Sequence, residues 1–512
     1  MGNKLTGRRV IDTYDWLLQC SPNDATGRIY TGGGCPTPFY VCAVPTVESI
    51  FLSGFPGSIY ELNPNWCYAG FTLGDEHYTC GDYNLIMTGL SSSVLGNNNV
   101  LGGTRHTVCG DCNTIMAGEC NRIIGNNSII LAGSSHHITA NYGVVGAGEY
   151  NNICADNGVV VAGCCNVVCG QFGNIHSGAY NSVGVNSTVW AGYDNHADGS
   201  YSLILAGSGN CITGNYSYIA ATIDSDITGD FSGVLAGEKH YVNGCYNIVV
   251  AGHTNCILNG RFNNIMAGKR NTIANGCYNN ILAGTDHHID SGNFNNILAG
   301  ECNCILDNAS YNNLMGYNNC ILGGNFNTML AGCGATLSGN HNFVNAACDN
   351  SAAVGNFNLV NGLGCVNGNY NVSVIGSSKI CGDHNVHMAG TNNCMQGDYN
   401  VILAGEDNCI VGCYSVIGAG SANYIEGNYN VIAAGHNNTN CGMYSTILAG
   451  VNNTICSGVE DTVVVGDNII AERSCTFYTN QVLTKTSVNK GAAGCPGEVW
   501  YCTAGKILYV TS

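Results

Sequence analysis

GCYNNILAGTDHHIDSGNFNNILAG, residues 276–300, states one phrase twice. Residues 278–284 read YNNILAG and residues 294–300 read FNNILAG, at an offset of 16. Outward from this stretch, the pattern Gly-x-aromatic/Asn-Asn/Ser-x-Ile/Val-Leu/Met/Val-Ala-Gly recurs from Gly81 to Gly458. There are 26 copies, mostly 15 or 16 residues apart. Self-similarity at a short fixed period is the mark of a solenoid. Each copy has a second half, in which x-x-Asn-x-Ile follows Ala-Gly. Ile257, Ile273, Ile289, Ile305 and Ile321 therefore stand midway between Val249, Ile265, Ile281 and Ile297. One coil then holds two short strands, each with one anchoring aliphatic, separated by Gly-bearing turns. Two glycines per coil, with Asn and β-branched residues between them, exclude helix. The sequence predicts an all-β, single-chain parallel β-roll or β-solenoid of about 26 coils, flanked by small N- and C-terminal β or irregular regions. At the usual strand spacing such a rod would be roughly 120 Å long.

Each position in the coil has an expected task. Side chains alternate along a strand, so Ile281 and Ala283 are expected to point into the coil. Gly284 and its equivalents turn the chain where φ must be positive or a side chain would clash. Asn263, Asn279, Asn295, Asn312, Asn327, Asn342 and Asn358 form a column whose amides can hydrogen-bond along the stack. A second column, aromatic or His, runs from Tyr246, Phe262, Tyr278 and Phe294 to Tyr444. It reads as structural stacking ahead of a ligand-binding strip.

The position between Ile281 and Ala283 says more. Alternation sends Leu282 outward, yet the position stays apolar: Leu131, Leu205, Leu235, Val250, Met266, Leu282, Leu298, Leu330, Met388, Leu403 and Leu448. Soluble monomers rarely expose such a stripe. It is expected to be buried against other copies of the chain, making the protein a homo-oligomer. The opposite phase, with Ile281 outward, leaves an Ile/Val stripe and the same conclusion. The equivalent position of the second strand is mixed (Leu258, Asp290, Leu306, Val411, Glu426), so one face is expected to associate and another to meet water.

The 31 cysteines suggest an oxidising compartment, whereas the N-terminal segment lacks the apolar run of a signal peptide. Cys304 and Cys320, one coil apart, are expected to be stacked, as are Cys394 and Cys409. Their spacing admits a disulfide, and free thiols serving as small strand residues are the alternative. Gly2 and Thr6, with Arg8 and Arg9 nearby, match an N-myristoylation signal. No apolar window is long enough for a transmembrane helix. With 9% charged residues, a net charge of −18 and no basic run, the composition argues against nucleic-acid binding.

Texture divides the chain into three. Residues 1–79 hold six of the seven prolines; VESIFLSGF reads there as a strand and the Pro-bearing segments as loops. Residues 80–466 are the repeat rod. Residues 467–512, where TFYTNQVLTKTSV reads as ordinary strands, form a cap or tip, and residues 1–79 a docking or capping region. No P-loop, dinucleotide fingerprint, Gly-x-Ser-x-Gly or His-Glu-x-x-His is present. No cofactor, metal or catalytic residue is therefore expected. Cys109-Gly-Asp-Cys112 lacks the second pair of a zinc site, and His287-His288 reads as a solvated turn pair. Asp286, Glu301, Glu406 and Asp407 occupy the turn after Ala-Gly; acids so placed solvate more often than they cleave sugars.

Asn-x-Ile-x-Ala-Gly followed by Asn-x-Ile resembles the head repeat of trimeric autotransporter adhesins, over residues 81 to about 466. The resemblance implies a left-handed parallel β-roll that trimerises through a hydrophobic face. Coils here run a residue or two longer, and Asn replaces much of the usual Ser. That family also carries an export signal and a C-terminal membrane barrel, neither of which is recognisable here. Similar Asn/Gly-rich repeats occur in structural proteins of large DNA viruses. The expected function is a structural fibre or surface subunit of a virion, made in host cytoplasm and seated on capsid or other surface proteins. The alternatives are an extracellular adhesin that binds host glycan through the aromatic or turn columns and, less favoured, a fibre-borne polysaccharide-degrading enzyme.

Overall fold

A computed structural model describes residues 77–345 and 352–480. It adds, as backbone strands, Gln19–Cys20, Arg28–Tyr30, Pro36–Val41, Ile50–Leu52, Phe71–Thr72, Val499–Cys502 and Ile507–Val510. The described residues form strands and turns and no helix, and so no helix long and apolar enough to cross a membrane. The fold is an all-β parallel solenoid of about 26 turns with two strands per coil. The chain divides into two compact units, Met1–Ala299 and Gly300–Ser512, and the same coil builds both.

In the first unit the coil at 276–291 shows the plan. Strand Asn280–Ile281 pairs in parallel with Asn264–Ile265 before it and Asn296–Ile297 after it. Strand His288–Ile289 pairs with Thr272–Ile273 of the preceding coil. These strands belong to two separate sheets, called here the first and second ladders. In the second unit Val401–Ile402 continues the first kind of ladder, between Val386–His387 and Val416–Ile417. Cys409–Val411 continues the second, between Cys394–Gln396 and Tyr424–Glu426.

The two halves of a coil follow one path. Gly276 and Gly284 have φ of 97° and 122°, and Tyr278 and Asp286 are left-handed at 59° and 57°. Buried Asn279 and His287 come next, then a two-residue strand ending in a fully buried isoleucine, Ile281 or Ile289. A Cβ on Gly276 would run into the carbonyl of Gly292 in the next coil. Close stacking of the turns, as well as positive φ, thus reserves that column for glycine.

This path overturns one expectation. Ile281 is inside, but Ala283 is exposed. The strand ends at Ile281, and the chain then bends into the next turn, so strict alternation stops one residue earlier than the pattern implies. The inward partner of Ile281 is Asn279, two residues before it. The interior therefore holds stacked aliphatics, flanked at most turns by buried polar side chains; Gly143, Gly158, Gly173 and Ala335 stand at the polar position where no such side chain is present.

Those polar side chains stand in for backbone. At the turns the ladders are interrupted, and buried N–H and C=O groups would otherwise lack partners. Asn279 Oδ1 accepts the N–H of Asn295 at 3.0 Å, and its Nδ2 donates to the Gly292 carbonyl at 2.9 Å. In the second unit Asn408 does the same for the Asn423 N–H at 3.1 Å and the Gly420 carbonyl at 2.9 Å. Amide-to-amide bonds also form, as between Asn423 and Asn408 at 3.0 Å, but the constant partners are backbone groups of the next coil. Ser232 makes both kinds of bond with one hydroxyl, accepting from the Asn247 N–H at 3.2 Å and donating to the Gly244 carbonyl at 3.1 Å. His106 uses two nitrogens: Nδ1 accepts from the Asn121 N–H at 3.2 Å, and Nε2 donates to the Gly102 carbonyl at 2.9 Å. That arrangement requires the neutral ring with its hydrogen on Nε2.

The Asn column expected from sequence forms, and it is buried, which the sequence reading did not anticipate. A second, opposite column (His106, Asn121, His136, Asn151 and onward in the first unit) is equally buried. His287 belongs to this column, so it is not a solvated turn residue; only His288 faces outward. In the second unit the aliphatic column is broken by buried Ser373, His387 and Asn440. Each has a polar partner: Ser373 with Ser378 at 2.9 Å, His387 with Asn393 at 2.9 Å, and Asn440 with the Ser445 carbonyl at 2.9 Å.

Towards the N-terminus, Gln19–Cys20, Arg28–Tyr30, Pro36–Val41 and Ile50–Leu52 form an antiparallel four-stranded sheet. The strand expected in VESIFLSGF is present as Ile50–Leu52. The Pro-bearing PTPFYV segment was expected to be a loop and is a strand. Pro36 opens it beside a register irregularity, where a missing N–H is tolerated. Phe71–Thr72 already pairs in parallel with Leu85–Ile86. In the second unit, Phe477–Thr479 pairs with Val463–Val465. Val499–Cys502 and Ile507–Val510 pair antiparallel. The proposed myristoylation residue, Gly2, lies outside the described residues.

Two outcomes follow from the polar columns. Asn279→Leu should lower the local opening free energy around Asn295 by about 2–4 kcal/mol, because two buried backbone groups lose their partners. Asn279→Ser should cost less than about 1 kcal/mol, since a hydroxyl can make both bonds; amide hydrogen exchange across residues 276–300 measures both, and equal protection in the two variants would refute the surrogate role. The second outcome concerns pH. Burial pushes His106, His136 and His240 below their ordinary 6.5. The unfolded chain therefore takes up protons first, and the stability held by these neutral rings is complete above about pH 6.5 and declines as pH falls towards the lowered values. The triple variant His106→Asn, His136→Asn, His240→Asn should lose less stability between pH 8 and pH 5 than the wild type in denaturant titrations. Identical losses would show that the rings do not carry the effect.

Candidate functional site

One surface feature repeated in both units is the outward face of the first ladder. With Ile281 fixed inward, the next residue must point out, and Leu282 is 43% exposed. The same position exposes Leu131, Leu205, Leu235 and Met266 in the first unit and Met388, Leu403 and Leu448 in the second. Val250, Leu298 and Leu330 are half-buried there. The phase of the strand is therefore as expected, with Leu282 rather than Ile281 on the surface. The column holds further apolar residues that the best-matching copies do not mark: Met87, Met116, Val161 and Trp190, all exposed. Trp190 stacks on His176 of the previous coil at 4.3 Å. One signal could have found them, since each directly follows a buried Ile or Val.

A second column widens this face. The residue before the buried aliphatic also points outward; in the second unit it is valine in Val386, Val401, Val416 and Val431, all half-buried. In the first unit it includes Asn264, Asn280 and Asn296, whose side chains bond one to the next at 2.9 Å. The second ladder differs. Its outward positions mix Asp, Thr, His, Tyr and Cys, as in Cys211, Asp226 and Tyr241. One sheet thus presents a largely aliphatic face and the other a polar, thiol-bearing one.

The aromatic column forms as expected and starts earlier than Tyr246. In the first unit it runs from Tyr201 to Phe294, with neighbouring centroids 4.8–5.0 Å apart and planes within 13°. In the second it runs from Tyr311 to Tyr444 at 4.5–4.9 Å. Every ring stands on a left-handed residue, a conformation that costs an ordinary side chain roughly 1–2 kcal/mol. Stacking of about 0.5–1.5 kcal/mol per pair offsets that cost. The geometry also bears on ligand binding. Sugars pack their C–H faces on ring faces, and within the column each face is covered by the next ring. Edges and hydroxyls alone meet solvent there.

Most of the remaining candidates are already engaged. Cys304 and Cys320 are paired in register and joined as a disulfide, with Cα atoms 4.6 Å apart. Cys394 and Cys409 are also in register, with free thiols. The Asp286 carboxylate is bonded by the Arg270 guanidinium, which holds it below the usual carboxylate range. Glu406 bridges Thr391 and Ser421 through its backbone, and its neighbour Asp407 takes the left-handed turn position. Cys109 ends a strand of the second ladder while Cys112 lies in the following turn.

No family model matches the chain, and no curated protein matches it. The coil geometry itself, repeating and parallel with Asn-rich stacking, therefore carries the functional reading.

The aromatic column yields a direct test. Tyr414 stacks on Tyr399 at 4.8 Å and on Tyr429 at 4.9 Å. Tyr414→Ala should destabilise the surrounding coils by about 1–3 kcal/mol, the sum of two lost stacks, and Tyr414→Phe should be close to neutral. Hydrogen exchange at residues 399–430 reads the difference; an Ala variant as protected as wild type would remove stacking as the offset for the left-handed backbone.

Proposed function

We propose that the protein is a structural subunit of a fibre or particle surface, with a stacked β-solenoid as its rigid element and the aliphatic face of the first ladder as the surface through which copies associate. The observation that carries this reading is the column containing Leu205, Leu235, Met266 and Leu282. These side chains are exposed, apolar, and repeated coil after coil on one sheet. An isolated soluble chain gains nothing from such a stripe and risks aggregation. A second copy of the same chain offers a matching surface at the same repeat.

A trimer is the assembly implied by the resemblance to adhesin heads, and a virus particle is the setting suggested by the Asn/Gly-rich repeat. Attachment is a further role that a rigid element could serve through its ends. The adhesin alternative loses its simplest site, since the column rings turn their faces to one another.

Replacing exposed residues separates interface from core. Leu205→Asp, Leu235→Asp and Leu282→Asp together should leave the coil fold intact, because none of these side chains is inside. The assembly should fall to single chains, visible as a drop in mass by sedimentation velocity with an unchanged β-rich circular dichroism spectrum. An unchanged assembly mass would eliminate the stripe as the interface.

A further inference from the structure

We infer that Cys394 and Cys409 form a redox-active dithiol on the outward face of the second ladder, in which Cys394 attacks a hydroperoxide and Cys409 resolves the product into a coil-to-coil disulfide. Three geometric observations support this. Cys394 and Cys409 are direct register partners in adjacent coils, and both thiols are free and half-buried. Cys304 and Cys320 occupy the same column of the same unit and are already bridged at a Cα separation of 4.6 Å. The backbone of this ladder therefore accepts such a bond without moving. Lys379 is the register partner of Cys394 on the other side and is exposed, which sets an ammonium beside one thiol of the pair and not the other.

The groups facing the pair divide the two roles. Lys379 precedes Cys394 and Tyr424 follows Cys409 along the column; Cys381 and Gln396 lie in the column alongside. The hydrogen bond from Cys409, helped by Lys379 and opposed by burial, holds the Cys394 thiol down to about 6. The same hydrogen bond, with burial and the Cys394 charge, pushes Cys409 up and keeps it protonated. One thiol is thus the nucleophile at neutral pH and the other waits as a donor.

The chemistry balances with a hydroperoxide as the named oxidant. The Cys394 thiolate attacks one peroxide oxygen, the O–O bond breaks, and the departing hydroxide takes a proton to become water when hydrogen peroxide is used. Cys394 is left as a sulfenic acid. The Cys409 sulfur then attacks the Cys394 sulfur, the S–O bond breaks, and the released hydroxide takes the Cys409 proton. Two thiols have lost two electrons, one peroxide has become two waters, and adjacent coils are covalently joined. Among the described residues, no cysteine flanks a buried aliphatic of the first ladder, whereas Cys154, Cys169, Cys304, Cys320, Cys394 and Cys409 all lie on the second. This chemistry therefore sits on the sheet opposite the aliphatic face and does not depend on the proposed association.

The full chain, reduced and desalted, provides the test. Pulse alkylation with iodoacetamide from pH 5 to pH 9, followed by chymotryptic mapping, should give Cys394 a midpoint near 6. Its rate at pH 6.5 should be about fivefold above that of exposed Cys109, after allowing for the lower nucleophilicity of a more acidic thiol. Lys379→Met should move the midpoint upward, and Lys379→Arg should not. Hydrogen peroxide should then link the peptides of Cys394 and Cys409 in the wild type. In Cys409→Ser it should leave a sulfenic acid on Cys394 that dimedone traps. A Cys394 rate equal to that of Cys109, or a peroxide-treated wild type with no Cys394–Cys409 link, would overturn the assignment.

Discussion

The structure depends on one interaction, a buried side chain that finishes the hydrogen bonding of the next coil's turn. A coil whose strands are as short as Asn280–Ile281 and His288–Ile289 leaves most of its backbone outside them, and the groups beside Asn279 and His287 are buried there. Unpaired, each buried N–H or C=O costs about 1–3 kcal/mol, a penalty that a chain of about 26 turns could not carry at every bend. Asn279, Ser232 and His106 each offer one acceptor to an N–H and one donor to a glycine carbonyl. Outside the coil the device recurs in a milder form. The N–H groups of Asn325 and Asn340 donate to the side-chain oxygens of Asn340 and Asn356 at 2.8 and 2.9 Å.

That constraint explains the low-charge, Asn- and Gly-rich composition. A carboxylate in the interior would accept but not donate, and an aliphatic would do neither. The column is therefore filled mainly by Asn, Ser, His and Thr, with Gly143, Gly158, Gly173 and Ala335 as exceptions. Glycine fills the turns because the backbone turns left-handed where the neighbouring coil already touches it. The surface is released from these demands, which leaves the two outward faces free to diverge, one towards aliphatic side chains and the other towards thiols and polar groups.

Much of this was legible in the sequence, and the limits have physical causes. The period and the paired aliphatics reveal the coil, its two strands and the outward direction of Leu282, because strands with buried aliphatics leave a strong signal. The phase fails at Ala283, since alternation holds only while the chain is extended and this strand stops after two residues. The second polar column is marked by the Asn of x-x-Asn-x-Ile, as at Asn271, but its burial is not, and His287 reads as a turn residue because it shares with Asn only a donor–acceptor pair. Buried His387 and Asn440 break the aliphatic register, and their partners Asn393 and Ser445 follow 6 and 5 residues later, a relation that no motif encodes. The stripe can be read as apolar and outward from the sequence, because most of its residues directly follow a buried aliphatic.

The reciprocity of the coil has a consequence for its history. From Tyr246 to Phe294 each coil offers the following one an acceptor, an aliphatic and a ring like those it receives from the one before. An unequal exchange between two copies of the repeat would add or delete whole coils and leave the fit at the new junction intact. Length in this architecture is therefore a heritable variable separable from stability, set by the number of copies that recombination leaves in the gene.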